Sequence, residues 1–376
     1  MPDGNFTESA MMLRLTYPNY AKASLLTPNN LTPSLLLSRD GIPVPTAETD
    51  ASGNLVIPDN AVIRGVEPDW RAQSVDQKTV NIEREIRPGM ILDIGYMNVR
   101  GHHNLHSLNI NQAPPSTDAS NDYQTSRPLY NLYPDLGDVP ISVSRASSYY
   151  DALTVRFAAN VGQDLNVNAS YAHGRNFADG NNIDQTNIRQ YYGPTQQDIA
   201  HIFNAQAHYA LPVGRGKTYM SHGSRLVDTL IGGWEYSALL HMRSGVRFDV
   251  TSAVGTLNNG QSNRPDRIGN GTLSHPTIDK WFDTSAFVNH LTEGTYGNAG
   301  INPLHGDDQI QLDSSLEKTF ALVEGTQLEF RIDAFNTFNH PDFGTPDSVV
   351  GDGSEVQVSS TSVDNRRLQF SLRFSF

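Results

Sequence analysis

Strict two-residue alternation of apolar and polar side chains recurs along this chain. It restricts the fold to β-sheet whose two faces differ in chemistry. The segment RRLQFSLRFSF shows it most plainly: Leu368, Phe370, Leu372, Phe374 and Phe376 share one face, and Gln369, Ser371, Arg373 and Ser375 the other. QLEFRIDAF sets Leu328, Phe330, Ile332 and Ala334 against Gln327, Glu329, Arg331 and Asp333. DQIQLDSSLEKTFAL places Ile310, Leu312, Leu316, Phe320 and Leu322 opposite Gln309, Gln311, Asp313, Ser315, Glu317 and Thr319. In DALTVRFAANV and LNVNASYAHG the same alternation sits on either side of Gly162-Gln163, the pattern of a hairpin with a tight turn. Helical periodicity is hard to find.

Alternation fits a soluble sandwich as well as a membrane barrel, and strand length with loop spacing separates the two. Strands are predicted near 8–17, 78–87, 90–101, 147–161, 164–177, 197–211, 234–250, 308–322, 326–338 and 366–376. Most exceed the usual length of about 5–6 residues and reach the span of a tilted membrane strand. Short connections fall at Pro88-Gly89, Gly162-Gln163 and Glu324-Gly325. Long ones fall at about 102–146, 178–196, 252–307 and 340–365. Short turns on one side and long loops on the other describe an all-β, antiparallel transmembrane β-barrel of about ten strands. Counting from Pro88-Gly89 as a periplasmic turn, the last strand runs inward and Phe376 ends at the periplasmic rim. The connection 212–233 is then the one long segment on that side.

Composition is compatible with this reading. Mean hydropathy is −0.43 and no run of about 18 apolar residues exists, so no transmembrane helix is expected, while a barrel leaves no such signal. Lys+Arg 27 against Asp+Glu 40 gives a net charge of −13, a poor match for nucleic acid. The absence of cysteine removes disulfides, thiolate metal sites and cysteine nucleophiles. The opening MPDGNFTESAMM has neither the basic nor the apolar region of a signal peptide.

Motifs for chemistry are sparse. VGRGKT (213–218) approaches a phosphate loop, but Leu211 stands where the pattern needs glycine, so a basic periplasmic turn is expected. GHHNLH (101–106) groups His102, His103 and His106 and is read as the beginning of a polar loop, with metal binding the lesser reading. Asp307, Asp308, Asp347, Asp352 and Glu355 read as a solvated acidic rim rather than a calcium site. Neither G-x-S-x-G nor H-E-x-x-H occurs, and no catalytic residue, cofactor or metal is expected. Trp234, Tyr236, Phe203, Tyr209, Phe330, Phe335, Phe338 and Phe343 cluster toward strand ends, as interfacial girdles do.

FRIDAFNTFNHPDFGTP (330–346), followed by RRLQFSLRFSF, resembles the end of the Oar-like TonB-dependent receptor barrels of Acidobacteria. VNIEREIRPGMILDIGYMNVRGHHNLHSLNINQ, SSYYDALTVRF, LNVNASYAHGRNFAD, AHIFNAQAHYALPVGRGK and IGGWEYSALLHMRSGVRFDV resemble other stretches of that family in the same order, over roughly 75–376. The resemblance implies that residues 1–376 form the C-terminal portion of a barrel of roughly 22 strands. It also implies an N-terminal plug and a signal peptide that are absent from this chain, with more sequence preceding Met1. The implied function is an outer-membrane receptor or transporter for a nutrient, without enzymatic chemistry. Its partners would be outer-membrane lipid, the barrel-assembly machinery, a small ligand met first by the outer loops, and the TonB complex through the plug. Gln327, Glu329, Arg331, Asp333, Gln369 and Arg373 would line the lumen, and Phe370, Leu372, Phe374 and Phe376 would form the barrel-assembly signal. A structural or adhesive outer-membrane barrel and a soluble all-β binding domain remain the alternatives.

Overall fold

The computed structural model describes residues 49–376, apart from 55, 119, 181–182, 254–256, 262, 324 and 352–355. Nine long strands form one antiparallel sheet in chain order. They are β1 (Ser74–Arg87), β2 (Met90–Asn109), β3 (Pro140–Val161), β4 (Leu165–Asp179), β5 (His201–Ala210), β6 (Trp234–Arg243), β7 (Gln309–Val323), β8 (Thr326–Phe335) and β9 (Arg367–Ser375). Each corresponds to a strand expected from the alternation. The expected strand at 8–17 lies outside the described residues, as does Glu324 of the β7–β8 turn.

The meander follows from the turns. Gly89 (φ 78°) and Gly162 (φ 64°) take the left-handed conformation that the tight β1–β2 and β3–β4 turns require. Together with the β7–β8 turn and the connection 211–233, they gather at one end of the sheet. The long connections 110–139, 180–200, 244–308 and 336–366 gather at the other.

Three boundaries differ from expectation. GHHNLH is strand, not the start of a loop. β2 runs on to Asn109, and its register against β3 shifts around Gly101, Asn104 and His106. His103 sits at φ 57° there. Bulges of this kind absorb polar, irregular sequence without ending a strand. β6 stops at Arg243, and Arg247–Phe248 pairs elsewhere, with Leu304–His305. The connection 211–233 contains a helix, α1 (Arg225–Ile231), capped by Ser224, whose hydroxyl accepts from Val227 N–H.

Register aligns like with like across the sheet. Ile82, Ile94, Val155, Tyr171, Phe203, Met242 and Ile310 pair in succession from β1 to β7. One residue along, so do Glu83, Asp93, Arg156, Ser170, Asn204, His241 and Gln311. The period of two thus becomes an apolar face and a polar face.

Beyond the sheet, the outer loops fold on each other. Phe248, Val250, Trp281, Phe282, Phe287, Leu304, Val350 and Val356 form a buried core drawn from three separate stretches of chain. Phe343 packs edge-on against Trp281 at 6.3 Å, so it belongs to this cap rather than to a girdle.

Candidate functional site

The polar face is laced with side-chain hydrogen bonds. His241 Nδ1 lies 2.7 Å from Asn204 Oδ1, Arg243 Nε donates to Gln309 Oε1 at 2.5 Å, and Asn166 Nδ2 donates to Asn160 Oδ1 at 2.6 Å. Arg331 bridges Asp333 (2.8 Å) and Glu317 (3.3 Å). Asn166, Arg331 and Asp333 line an open hollow of about 470 Å³ and Asn204 lines another of about 500 Å³; the two share Gln206 and Leu239. Arg331 and Asp333 line the first beside His208, Asp313 and Ser315. Gln369 pairs with Asp333, Arg373 with Glu329 and Ser375 with Gln327. All six residues expected to line a lumen therefore share this one face. Phe370, Leu372 and Phe374 of β9 lie on the opposite face, paired with Ile332, Phe330 and Leu328, and Phe376 rests its ring 6.0 Å from Phe374.

The apolar face has defined upper and lower limits. On β3 it runs from Asp151 to Val161. That is about 33 Å along the strand, or about 25 Å along the normal at a tilt of about 40°. At the outer limit Arg100 pairs with Asp151 at 3.1 Å and lies 4.6 Å over the Tyr149 ring, which stacks on Phe177 at 5.2 Å. At the other limit Trp234 meets Phe330 edge-on at 6.2 Å. Arg84 is a charged exception within the band, on the edge strand.

The outer cap is held by buried, hydrogen-bonded charge. The Arg264 guanidinium grips both oxygens of Asp249 (2.9 and 2.7 Å), and Arg247 Nε donates to Asp198 at 2.6 Å. Burial tends to push the Glu67 carboxyl up, but donors on Ser144 and the Arg145 guanidinium outweigh it and hold the group below the usual range. Removing either member of such a pair would leave an uncompensated buried charge.

Between the loops lies a hollow of about 570 Å³ lined by Gln112, Pro114, Pro115, Asp184, Thr186, Gln190 and Tyr296, among others. Close by, burial pushes the Tyr191 phenol up to about 12, and its hydroxyl donates to Gly297 O at 3.3 Å. Burial raises Tyr296 as well. Both phenols therefore stay protonated at neutral pH.

The remaining motifs do not assemble into chemistry. His102 faces Asp76 at 3.4 Å, His103 meets Ser144 O at 3.3 Å, and His106 Nε2 is buried without a hydrogen-bond partner among the described residues. Asp307 and Asp308 accept from the backbone N–H groups of Phe343 and Gly245, and Asp347 from Val349. Asp352 and Glu355 lie outside the described residues. Among the described residues, no group of three or more acidic or histidine side chains is placed to hold a metal. In VGRGKT, the Arg215 N–H binds Asp228 Oδ1, so this loop embraces the chain's own carboxylate where a phosphate loop would hold its ligand.

A sequence profile of the outer membrane beta barrel domain matches residues 2–369. The chain belongs to that family. Its all-β architecture and its place in the outer membrane follow. No curated protein matches it. The β-barrel chain is similar to the pyoverdine outer membrane receptor FpvA from Pseudomonas aeruginosa PAO1, at 11% identity and TM-score 0.41, covering 82% of this chain and 30% of that one. The FrpB iron transporter from Neisseria meningitidis (8% identity, TM-score 0.39) is covered over 32% of its length by 83% of this chain. The outer membrane transporter YddB from Escherichia coli (9% identity, TM-score 0.39) is covered over 34% by 85% of this chain. The chain thus spans about a third of the length of these proteins.

Proposed function

We propose that this outer-membrane barrel is the receptor or transporter portion of a TonB-dependent, Oar-like system that takes up a small nutrient ligand. The observation that carries the reading is the division of one sheet into an apolar face about 25 Å tall and a hydrogen-bonded polar face, beneath loops that enclose a polar hollow. The apolar face meets lipid. The polar face lines the lumen, with Gln327, Glu329, Arg331, Asp333, Gln369 and Arg373 on it. The hollow around Gln112, Asp184, Gln190 and Tyr296 makes first contact with ligand. Binding and gating are the work, and no bond is made or broken. Energy coupling would require a plug engaging the TonB complex.

The test is a binding panel on the barrel in outer-membrane vesicles, covering ferric chelates, oligosaccharides and short peptides. One class should bind, and Asp184→Ala with Tyr296→Ala should weaken it at least about tenfold, the worth of about 1.4 kcal/mol. If no class binds while the protein sits correctly in the membrane, the transport reading falls and a structural or adhesive barrel takes its place. A protein that folds as a detergent-free monomer would instead support a soluble all-β domain.

The same reading assigns assembly to β9. Phe370, Leu372, Phe374 and Phe376 would be recognised by the barrel-assembly machinery. Deleting Phe376 should lower the amount of heat-modifiable barrel in the membrane. Wild-type levels would remove this role.

A further inference from the structure

The connection 211–233 is the one long segment at the short-turn end, and its placement is specific. Lys318 belongs to the apolar face of β7, between Leu316 and Phe320. It is only 4% exposed. Its ammonium donates to Gly232 O and lies 3.5 Å from Asp228 O, the carbonyls that end α1. Trp234 and Phe320 flank it, with their rings 5.7 and 5.0 Å from Nζ. Trp234 Nε1 donates to Leu230 O at 3.0 Å. Lys318 thus caps the negative end of the helix dipole, and α1 is bound against the apolar face rather than over the mouth of the lumen.

The outward side of α1 is apolar. Leu226 and Leu230, one turn apart, are 78% and 67% exposed. Tyr219 and Met220 are exposed just upstream, and the exposed Arg215 and Arg225 flank them. A short helix fixed on the apolar face, at the level where aromatics begin, with leucines outward and arginines beside them, has the arrangement of an in-plane interfacial anchor.

We propose that α1 lies in the periplasmic leaflet of the outer membrane, its leucines inserted among the acyl chains just below the phospholipid phosphates. This rests on assigning the apolar face to lipid. The occupant is phospholipid because the helix continues the lipid-facing band without a gap: Trp234 and Phe320 touch the lysine that holds it.

The native chain has no cysteine, so single-cysteine labelling is clean. Leu226→Cys, Leu230→Cys, Ile332→Cys and Glu329→Cys are each labelled with an environment-sensitive fluorophore in the full chain inserted into phospholipid vesicles. Lipids brominated close to the headgroup should quench the labels at 226 and 230 by on the order of half, and more than lipids brominated near the chain end. The 332 label should be quenched by bromolipid, and the 329 label by aqueous iodide only. If 332 escapes bromolipid, the assignment of faces fails. If 332 responds but 226 and 230 answer only to iodide, the helix is in water and the anchor is overturned. If neither quencher reaches 226 and 230, protein covers the helix, which overturns it equally.

Discussion

The spanning sheet and the outer cap are made by one chain in opposite ways. In the sheet every strand between the two edges is paired on both sides, yet large apolar side chains find little protein to touch. Ile82 is 69% exposed, and every residue of β1 is exposed. Among the described residues, the buried apolar side chains of the nine strands are the small ones Val143, Ala146, Ala152 and Ala159. In the cap the backbone is irregular, while Val250 and Phe282 are fully enclosed. The cap carries its own hydrophobic core and is stabilised as a soluble domain is. The sheet has no such core, so lipid must supply the apolar surroundings and strand pairing must satisfy the backbone. One chain therefore uses two solvents, and the boundary between them is the row of Arg100, Asp151 and Tyr149.

The comparison would break most visibly at Phe282. Phe282→Ala should cost about 3–5 kcal/mol of cap stability. Hydrogen exchange should rise across 244–308 and leave β5 to β8 protected. Loss of protection in both regions would show that cap and sheet are one cooperative unit.

Next comes the sheet. Leu240 pairs with Ala205 and Leu312 on the apolar face, and Gln311 lies on the polar one. Leu240→Arg should cost about 2–4 kcal/mol in a bilayer, whereas Gln311→Arg should stay within about 0.5 kcal/mol. Denaturant titration in vesicles measures both. Equal effects would erase the distinction between the faces.

In the sheet, alternation locates all nine long strands, because a period of two survives any register. It also separated Glu329 and Arg331 from Phe330 and Ile332 without knowledge of the fold. The cap stays hidden because most of its strands are two or three residues long, as at Thr251–Ser252, and its core joins Phe248, Phe282 and Val350 across a hundred residues. The outer hollow was illegible for the same reason: Gln112, Asp184 and Tyr296 come from three different loops. Helix α1 has ordinary start and stop signals in Ser224 and Gly232-Gly233, but its seven residues give too few turns for periodicity to show. The polarity of GHHNLH predicts a loop, and bulges carry the segment into the strand instead.

A smaller effect is expected at the helix. Ser224→Ala removes the N-cap acceptor and should cost about 1 kcal/mol. Exchange should quicken within Arg225–Ile231 only. No change there would mean that Lys318 and Trp234 alone hold the helix in place.

An effect of the same size at neutral pH, and the one most diagnostic of the cap, concerns Tyr191. Its phenol is raised to about 12 by burial, against an unfolded value of about 10. The folded cap therefore keeps this proton where the unfolded chain releases it. Its contribution is complete below pH about 10 and is lost as pH rises toward about 12. Tyr191→Phe removes the hydrogen bond to Gly297 and should cost about 1 kcal/mol at pH 7. In exchange, the variant should flatten the alkaline fall in cap stability, followed by exchange across 294–302 between pH 9 and 11. An alkaline fall of equal steepness in wild type and variant would place the titrating group elsewhere, and would mean that the cap interior around Tyr191 is wetter than its packing indicates.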